Sequence, residues 1–262
     1  MVVNMERAIE KQLFKKSNAN RYLLTLVIGA VLFLLLSIVY IYSARLAAIT
    51  KYGIFDYEEA VSAEGDLYYQ ILGLTQFMYQ IPIVLFFIYV LRKDLKEDFI
   101  DFRLEKKRNL SIILIGVVSI LVLTILINVV YTLLGIEDTS DNQEIIESSL
   151  IGSSGIFMAI SVVILAPFVE EMLFRKCLCD TFKYKFNVPD IVTIILSALV
   201  FSLMHITDLS NLIFIFQYVP LALIIVLSYY FSKNIYVPIA IHFINNFAGV
   251  IISYVLYYGG LI

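Results

Sequence analysis

The sequence predicts an all-α protein, a polytopic bundle of transmembrane helices whose N-terminus lies in the cytoplasm. The 262 residues are 61% hydrophobic and only 16% charged, and their mean hydropathy is +0.89. Soluble domains average about 45–50% apolar and about 25% charged residues, so a soluble monomer could not cover so apolar an interior. Apolar stretches of bilayer length recur along the chain, and Lys and Arg are concentrated in alternate links between them.

The same composition excludes other classes of protein. It does not fit a disordered, collagenous or disulfide-rich chain, because each of these has a different bias in its residues. The net charge of −3 leaves no basic surplus for binding a nucleic acid. Cys177 and Cys179 are two residues apart and face different sides of a helix. We interpret them as small apolar side chains rather than as metal ligands.

Seven stretches have about the 20 apolar residues that a helix needs to cross the hydrocarbon core. We predict about seven spans, at residues 22–46, 67–91, 110–134, 150–179, 191–206, 212–232 and 235–258. The fourth stretch is long and the fifth is short. The first stretch is too long for a cleavable signal peptide and lacks a small-residue cleavage site, so we expect it to be retained as a span.

The distribution of Lys and Arg predicts the orientation of the spans. Five of these residues precede the first span, seven lie between the second and third, and four lie around the link between the fourth and fifth. The link between the first and second spans, taken with the last two residues of the first span, holds two, and the link between the third and fourth holds none. Because basic residues accumulate on the cytoplasmic side, this alternation places the N-terminus in the cytoplasm and the C-terminus outside.

The chain is predicted to divide into a basic segment and two groups of spans. In residues 1–21, apolar side chains from Met5 to Phe14 recur at helical spacing with charges opposite them, which indicates either a helix on the inner leaflet or a frayed basic tail. Residues 22–149 hold three spans without a chemical motif. Residues 150–258 hold the spans that carry polar motifs.

The fourth predicted span contains charges that a lipid environment disfavours. A charged side chain near the centre of a span costs about 2.5–3.5 kcal/mol on insertion scales, so such residues often mark a functional site. At 100° per residue, Glu171 and Arg175 lie one turn apart on one helix face, whereas Glu170 points elsewhere. Glu170 is therefore the unpaired acid and is suited to act as a general base. Pro167 removes a backbone hydrogen bond just before the pair, which predicts a kink.

The two histidines of the chain lie in the fifth and seventh predicted spans. His205 follows Phe201 by one turn, and His242 precedes Asn246 by one turn, so each pair shares a helix face. His242 can reach the level of the acids only if the turn before its helix lies deep in the membrane. Any one of these residues could be a structural hydrogen-bonding group between helices. Together they predict one shared buried site.

Three ordered motifs carry a resemblance to a known family: EExxxR, FxxxH and HxxxN. They comprise Glu170, Glu171 and Arg175; Phe201 and His205; and His242 and Asn246. In this order, on three helices, they resemble the CPBP family of intramembrane proteases, which are Rce1-like type II CAAX prenyl proteases and are also called Abi proteins. The resemblance covers about residues 150–249. The family commonly has eight spans, one more than we count.

The resemblance implies an intramembrane endopeptidase that cleaves a membrane-associated or precursor peptide. Carried over by position, Glu170 would activate the attacking water with help from His205. His242 and Asn246 would stabilise the oxyanion. The second Glu and the Arg of the first motif would support these residues. Some bacterial members of the family are linked to bacteriocin maturation or self-immunity.

We favour a mechanism without a metal ion or other cofactor. If the enzyme were metal-dependent, Glu170, His205 and His242 would form a ligand set of the kind that holds catalytic zinc. The HExxH motif is absent, and a metal would occupy the only strong base of the site. Zinc is therefore the alternative.

Two other functions compete with the protease. A non-catalytic immunity or scaffold protein of the same fold would use none of this chemistry. A proton-coupled transporter could use Glu and His as relays but would need matching halves, and here the motifs occur only in the C-terminal half.

The expected partners are the lipid bilayer and a peptide or membrane-protein substrate, not a nucleic acid. We expect a multi-pass protein of the cell membrane: the plasma membrane if bacterial, the endoplasmic reticulum membrane if eukaryotic.

Overall fold

The structure is a computed structural model that describes residues 2–56, 66–136, 140–206 and 208–260. Nearly all of these residues are helical, and none of them lies in a β-strand. The main helices are α1 (Val2–Ser17), α2 (Ala19–Tyr52), α3 (Asp66–Leu104), α4 (Lys106–Leu133), α5 (Asp141–Ile151), α6 (Gly155–Tyr184), α7 (Asp190–Leu203), α8 (Ile215–Ser232) and α9 (Tyr236–Tyr258). A 3-10 helix at Leu209–Phe214 precedes α8.

The predicted all-α transmembrane bundle is confirmed. Within the described ranges, six helices are long and apolar enough to cross a membrane: α2, α3, α4, α6, α8 and α9. The fifth predicted span, at residues 191–206, is different, because α7 has only 14 residues. At 1.5 Å per residue it is about 21 Å long. This is shorter than the roughly 30 Å hydrocarbon core.

The fourth predicted span, at residues 150–179, is divided between two helices. Leu150 belongs to α5, which begins where the Ser140 hydroxyl accepts a hydrogen bond from the backbone N–H of Gln143. The chain turns at residues 152–154 before α6 begins. A Cβ atom on Gly155 would lie 1.9 Å from the carbonyl oxygen of Leu150, so this turn requires glycine.

The helix α3 is longer than the predicted span because its charged end packs against α1. Lys11 of α1 lies 2.7 Å from both Asp98 and Asp101 of α3, and Arg7 lies 2.6 Å from Asp101. Burial opposes the charge of Lys11, but the two carboxylates outweigh it and raise the pKa of Lys11. The N-terminal segment is helical in this structure. Its position on the lipid surface stays a prediction.

A buried charge cluster joins α1, α3 and α6. It consists of Lys15, Asp94, Asp98, Lys176 and Asp180, which are 1–6% exposed. Lys176 lies 3.2 Å from Asp98 and 3.6 Å from Asp94, and Lys15 lies 3.0 Å from Asp180. We call this end of the bundle, which also carries the basic links, the basic end. Because charges without solvent depend on their partners, the cluster fixes how the three helices meet.

The helix α6 is the most enclosed of the long helices. Of its most apolar 18-residue window, 56% is buried, against 11–33% in the other five long helices. Val169, Met172 and Leu173 of α6 lie in the main apolar cluster with Phe87 of α3 and Phe201 of α7. The helix that carries the acidic motif is therefore held on several sides by apolar packing.

Replacing Asp98 with Asn should lower the free energy of unfolding by about 3 kcal/mol, because Lys176 loses a buried partner. This is the low end of the cost of unpairing a buried ion, since Asp94 remains beside Lys176. The measurement is thermal unfolding of the purified protein in detergent. The matched control is Asp190→Asn, since Asp190 pairs with Lys183 at an exposed site and should contribute at most about 1 kcal/mol. Equal effects of the two substitutions would contradict a structural role for the buried cluster.

Candidate active site

The candidate site lies where α6, α7 and α9 meet. The helix α6 is irregular there, because π-helical segments at Ser161–Leu165 and Met172–Cys179 flank a short α-helical stretch at Ala166–Glu171. Such segments shift the faces of a helix and are frequent at functional sites. Glu170 and Glu171 are the last two residues of the α-helical stretch between the two π-helical segments.

Pro167 and Asn246 account for the first π-helical segment. There, the N–H of Ala166 donates to the carbonyl oxygen of Ser161, five residues back. By the same pattern the carbonyl of Val162 would accept from residue 167, but proline has no N–H. Asn246 of α9 supplies the donor instead, since its Nδ2 lies 2.8 Å from the Val162 oxygen. The irregularity expected at the proline thus takes the form of a π-helical segment that is joined to α9.

His242 lies between the two glutamates. Its Nδ1 donates to Glu171 Oε1 at 2.9 Å, and its Nε2 lies 3.8 Å from Glu170 Oε2. The side chain of Glu171 is fully buried and that of His242 is 3% exposed, whereas that of Glu170 is 17% exposed. The turn between α8 and α9 therefore does bring His242 level with the acids. Glu170 is the acid that can meet water or a substrate.

Arg175 neutralises the buried glutamate. Its Nε lies 3.1 Å from Glu171 Oε2, one helical turn away, and neither side chain is exposed. Its Nη2 donates to the carbonyl oxygen of Ala222 at 3.2 Å. The guanidinium group also lies 4.6 Å from the ring centre of Phe201, at cation–π distance. Arg175 therefore links α6 to both α7 and α8.

The contacts of this cluster give its acids different surroundings. Arg175 and Glu171 are opposite charges in contact, and a buried pair of this kind depends on both partners. Glu170 is not part of that pair, and its carboxyl group faces Nε2 of His242. A carboxyl group beside an imidazole is an arrangement that can serve in acid–base chemistry.

His205 lies one aromatic ring away from this cluster. The ring of Phe201 lies 4.7 Å from the His205 ring and 5.8 Å from the His242 ring, measured between centres. The Nδ1 of His205 donates to the carbonyl oxygen of Phe201 at 2.9 Å, which leaves Nε2 as an acceptor. The two glutamates, the arginine and His242 are thus in direct contact. His205 joins them through Phe201.

Tyr218 of α8 completes this side of the site, although it carries no sequence motif that would have indicated it. Its ring stacks on His205 with centres 4.8 Å apart and planes at 29°. Its hydroxyl lies 2.7 Å from Ser140 Oγ and 3.5 Å from Asn142 Nδ2, both at the start of α5. In a chain with 18 tyrosines, one in an apolar stretch resembles an interfacial anchor.

A zinc site would require Glu170, His205 and His242 to converge. No three His, Cys, Asp or Glu side chains in the described part of the chain are placed to hold a metal ion. His242 already uses Nδ1 to bind Glu171, and His205 lies across Phe201. A metal site made of these residues would need His205 to move towards Glu170.

A cavity of about 620 Å³ opens at the basic end, away from the glutamates. Lys15, Asp180 and Tyr229 are among its lining residues, and none of the motif residues lines it. Ion pairs between α1 and the bundle cross its walls. We assign this cavity to the packing of α1 rather than to the candidate site.

Comparison with known proteins relates the C-terminal part of the chain to a protein family. Residues 152–248 match the family model described as type II CAAX prenyl endopeptidase Rce1-like. The match begins at the turn before α6 and ends within α9, so it contains all three motifs. The resemblance predicted from the motifs is confirmed over these residues. No curated protein and no solved structure matches the chain.

Replacing Arg175 with Met should destabilise the protein by about 3–5 kcal/mol, because the buried Glu171 would lose its cation and keep only its contact with His242. The double variant Glu171→Gln/Arg175→Met removes both charges and should recover at least about 1 kcal/mol of that loss. Thermal unfolding in detergent measures both effects. Losses that simply add in the double variant would mean that the two side chains act independently.

Proposed function

Because residues 152–248 form an Rce1-like domain of the type II CAAX prenyl endopeptidase family, we propose that this integral membrane protein is an intramembrane endopeptidase that uses Glu170 as its base. The family is one of CAAX-type intramembrane proteases. The observation that carries the residue assignment is the contrast between the two acids. Glu170 is partly exposed beside His242, whereas Glu171 is buried between His242 and Arg175.

Glu170 activates the attacking water. Its carboxylate takes one proton from the water as the water oxygen bonds to the scissile carbonyl carbon. We propose that His205 turns past Phe201 towards Glu170 when a substrate binds, so that its acceptor Nε2 receives a hydrogen bond from the same water and orients it. Glu171 cannot take this role, because both of its oxygens are directed towards His242 and Arg175.

His242 and Asn246 stabilise the oxyanion that forms on the carbonyl oxygen. In its imidazolium form, His242 can donate Nε2–H to that oxygen while Nδ1–H stays bound to Glu171. Asn246 uses one hydrogen of Nδ2 on Val162 and has a second for the substrate. The buried Glu171 thus acts as the group that orients the imidazole, as the third residue does in catalytic triads.

Collapse of the tetrahedral intermediate completes the reaction. The C–N bond breaks, and the proton held by Glu170 passes to the leaving amine, so one water is consumed and one amide is hydrolysed. Each step uses groups of this chain alone, and we propose that no metal ion takes part.

Replacing Glu170 with Gln should lower kcat by about 100–10,000-fold, because the amide cannot take a proton from water. Hydrolysis of a pool of randomised quenched-fluorescent peptides by the purified protein in detergent measures this loss. Glu105→Gln is the control, because Glu105 is an exposed acid at the basic end. It should keep full activity.

Two outcomes of this assay would contradict parts of the proposal. Equal hydrolysis by the Glu170→Gln variant and the wild type would remove Glu170 as the base and would favour a non-catalytic role for the fold. Activity that is lost on adding a chelator and restored by zinc, with bound zinc detected in the active protein, would overturn the metal-free mechanism.

Replacing Tyr218 with Ala should lower kcat by about 10–100-fold with little change in KM, because His205 would lose the ring that holds it. Tyr218→Phe keeps the ring and loses only the contacts of the hydroxyl with α5, so kcat should be largely restored. Peptide hydrolysis in detergent separates kcat from KM. Equal losses of kcat in the two variants would assign the effect to the hydroxyl rather than to positioning of His205.

A further inference from the structure

We infer that the candidate site opens away from the basic end, so that its substrates are polypeptide segments on the non-cytoplasmic side of the membrane. This inference rests on the proposed function, because it concerns the substrates of the same site. Three observations support it. Buried charged residues close the side of the site that faces the basic end, the short helix α7 leaves the opposite side open, and Lys and Arg are concentrated at the basic end.

The side of the site that faces the basic end is sealed by buried charged residues. Continuing along α6 from the glutamates towards the basic end, the chain places Arg175, Lys176 and Asp180, which are 0%, 2% and 3% exposed. Lys176 pairs with Asp98, and Asp180 accepts a hydrogen bond from the hydroxyl of Tyr229 at 2.9 Å. A peptide approaching from the basic end would have to break these pairs, which are costly to separate in a buried setting.

The opposite side of the site is left open by the short helix α7. It begins near the basic end, where Asp190 lies 2.9 Å from Lys183, and ends at Leu203, well short of a full crossing. His205 follows at the tip of this helix. His205 and Asn246 are partly exposed, in contrast to the fully buried Arg175 below them. Exposure within the site therefore increases with distance from the basic end.

Polar side chains lie along one edge of this open side. The start of α5 places Ser140 and Asn142 against the hydroxyl of Tyr218, and Gln143 donates to Glu147 one turn further along at 2.9 Å. A helix face in contact with hydrocarbon would not carry such groups without penalty. The start of α5 therefore forms a hydrated rim above His205, through which an extended peptide could reach Glu170.

The distribution of basic residues identifies the side to which the rim belongs. Of the 19 Lys and Arg residues, only Arg45 and Lys51 lie towards the end opposite the basic end, in the C-terminal part of α2. Because basic residues are retained in the cytoplasm, the basic end is cytoplasmic and the rim faces outwards. A prenylated C-terminus is anchored at the cytoplasmic leaflet and could not approach from this direction. The geometry favours exported peptides and the outer juxtamembrane segments of membrane proteins.

The direct test supplies one substrate to each side of the membrane in turn. A quenched-fluorescent peptide is first selected from the randomised pool by its Glu170-dependent hydrolysis in detergent, and is made membrane-impermeant. Right-side-out vesicles should hydrolyse it at the rate seen after detergent is added. Inside-out vesicles should hydrolyse it only after detergent is added. Faster hydrolysis by intact inside-out vesicles would overturn the inference.

A second test does not depend on activity. Asn142→Cys at the rim and Lys107→Cys at the basic end are treated with a membrane-impermeant maleimide; the native Cys177 and Cys179 are buried. In right-side-out vesicles the rim cysteine should be labelled and the basic-end cysteine should not. The reverse pattern, or a rim cysteine that is unlabelled in both orientations, would overturn the inference.

The two tests distinguish failure of the inference from failure of the proposed function. Absence of any Glu170-dependent hydrolysis in detergent would remove the protease. The maleimide pattern would still decide whether the site opens outwards. Hydrolysis in detergent together with labelling from the cytoplasmic side would retain the protease and reject its outward direction.

Discussion

The rest of the site depends on the contacts of the Glu171 carboxylate, which lies between Arg175 and His242 in an apolar interior. One of its oxygens faces the guanidinium group and the other faces the imidazole. Removing it would leave a buried positive charge and an imidazole without orientation. The same contact explains why two adjacent acids differ. Glu171 is committed to structure, so Glu170 is the one left to meet water.

The basic end is organised by the same principle on a larger scale. Lys176 lies one residue beyond Arg175, so α6 presents successive cations to two sets of carboxylates, Glu171 above and Asp94 and Asp98 below. The pairs of Lys176 bind α6 to α3, and the hydrogen bond between Glu171 and His242 binds α6 to α9, each at a defined height. A helix bundle held only by apolar contacts could slide by a turn at modest cost, whereas a displaced buried ion pair would lose its partner. The register of α6 is therefore fixed electrostatically.

Composition and spacing were sufficient to predict the helical class, the membrane environment and the contact between Glu171 and Arg175, because these depend on residues close together in sequence. The end of α7 at Leu203 was not predicted, because no Gly or Pro separates Leu203 from Ile206 in the sequence. The stacking of Tyr218 on His205 and the separation of His205 from Glu170 by Phe201 depend on packing between helices. Residue spacing within one helix cannot predict such contacts between helices.

The pairing of Pro167 with Asn246 has a consequence for how substitutions at these two positions can accumulate. Any other residue at position 167 would restore an N–H that competes with Asn246 for the Val162 oxygen, and the carboxamide would then keep only the hydrogen bond that its oxygen accepts from Asn245. Conversely, a residue without a donor at position 246 would leave that oxygen unsatisfied only while the proline is present. The π-helical segment of α6 and the side chain at position 246 of α9 therefore depend on each other. Substitutions at positions 167 and 246 should be epistatic, because the effect of one depends on the residue at the other.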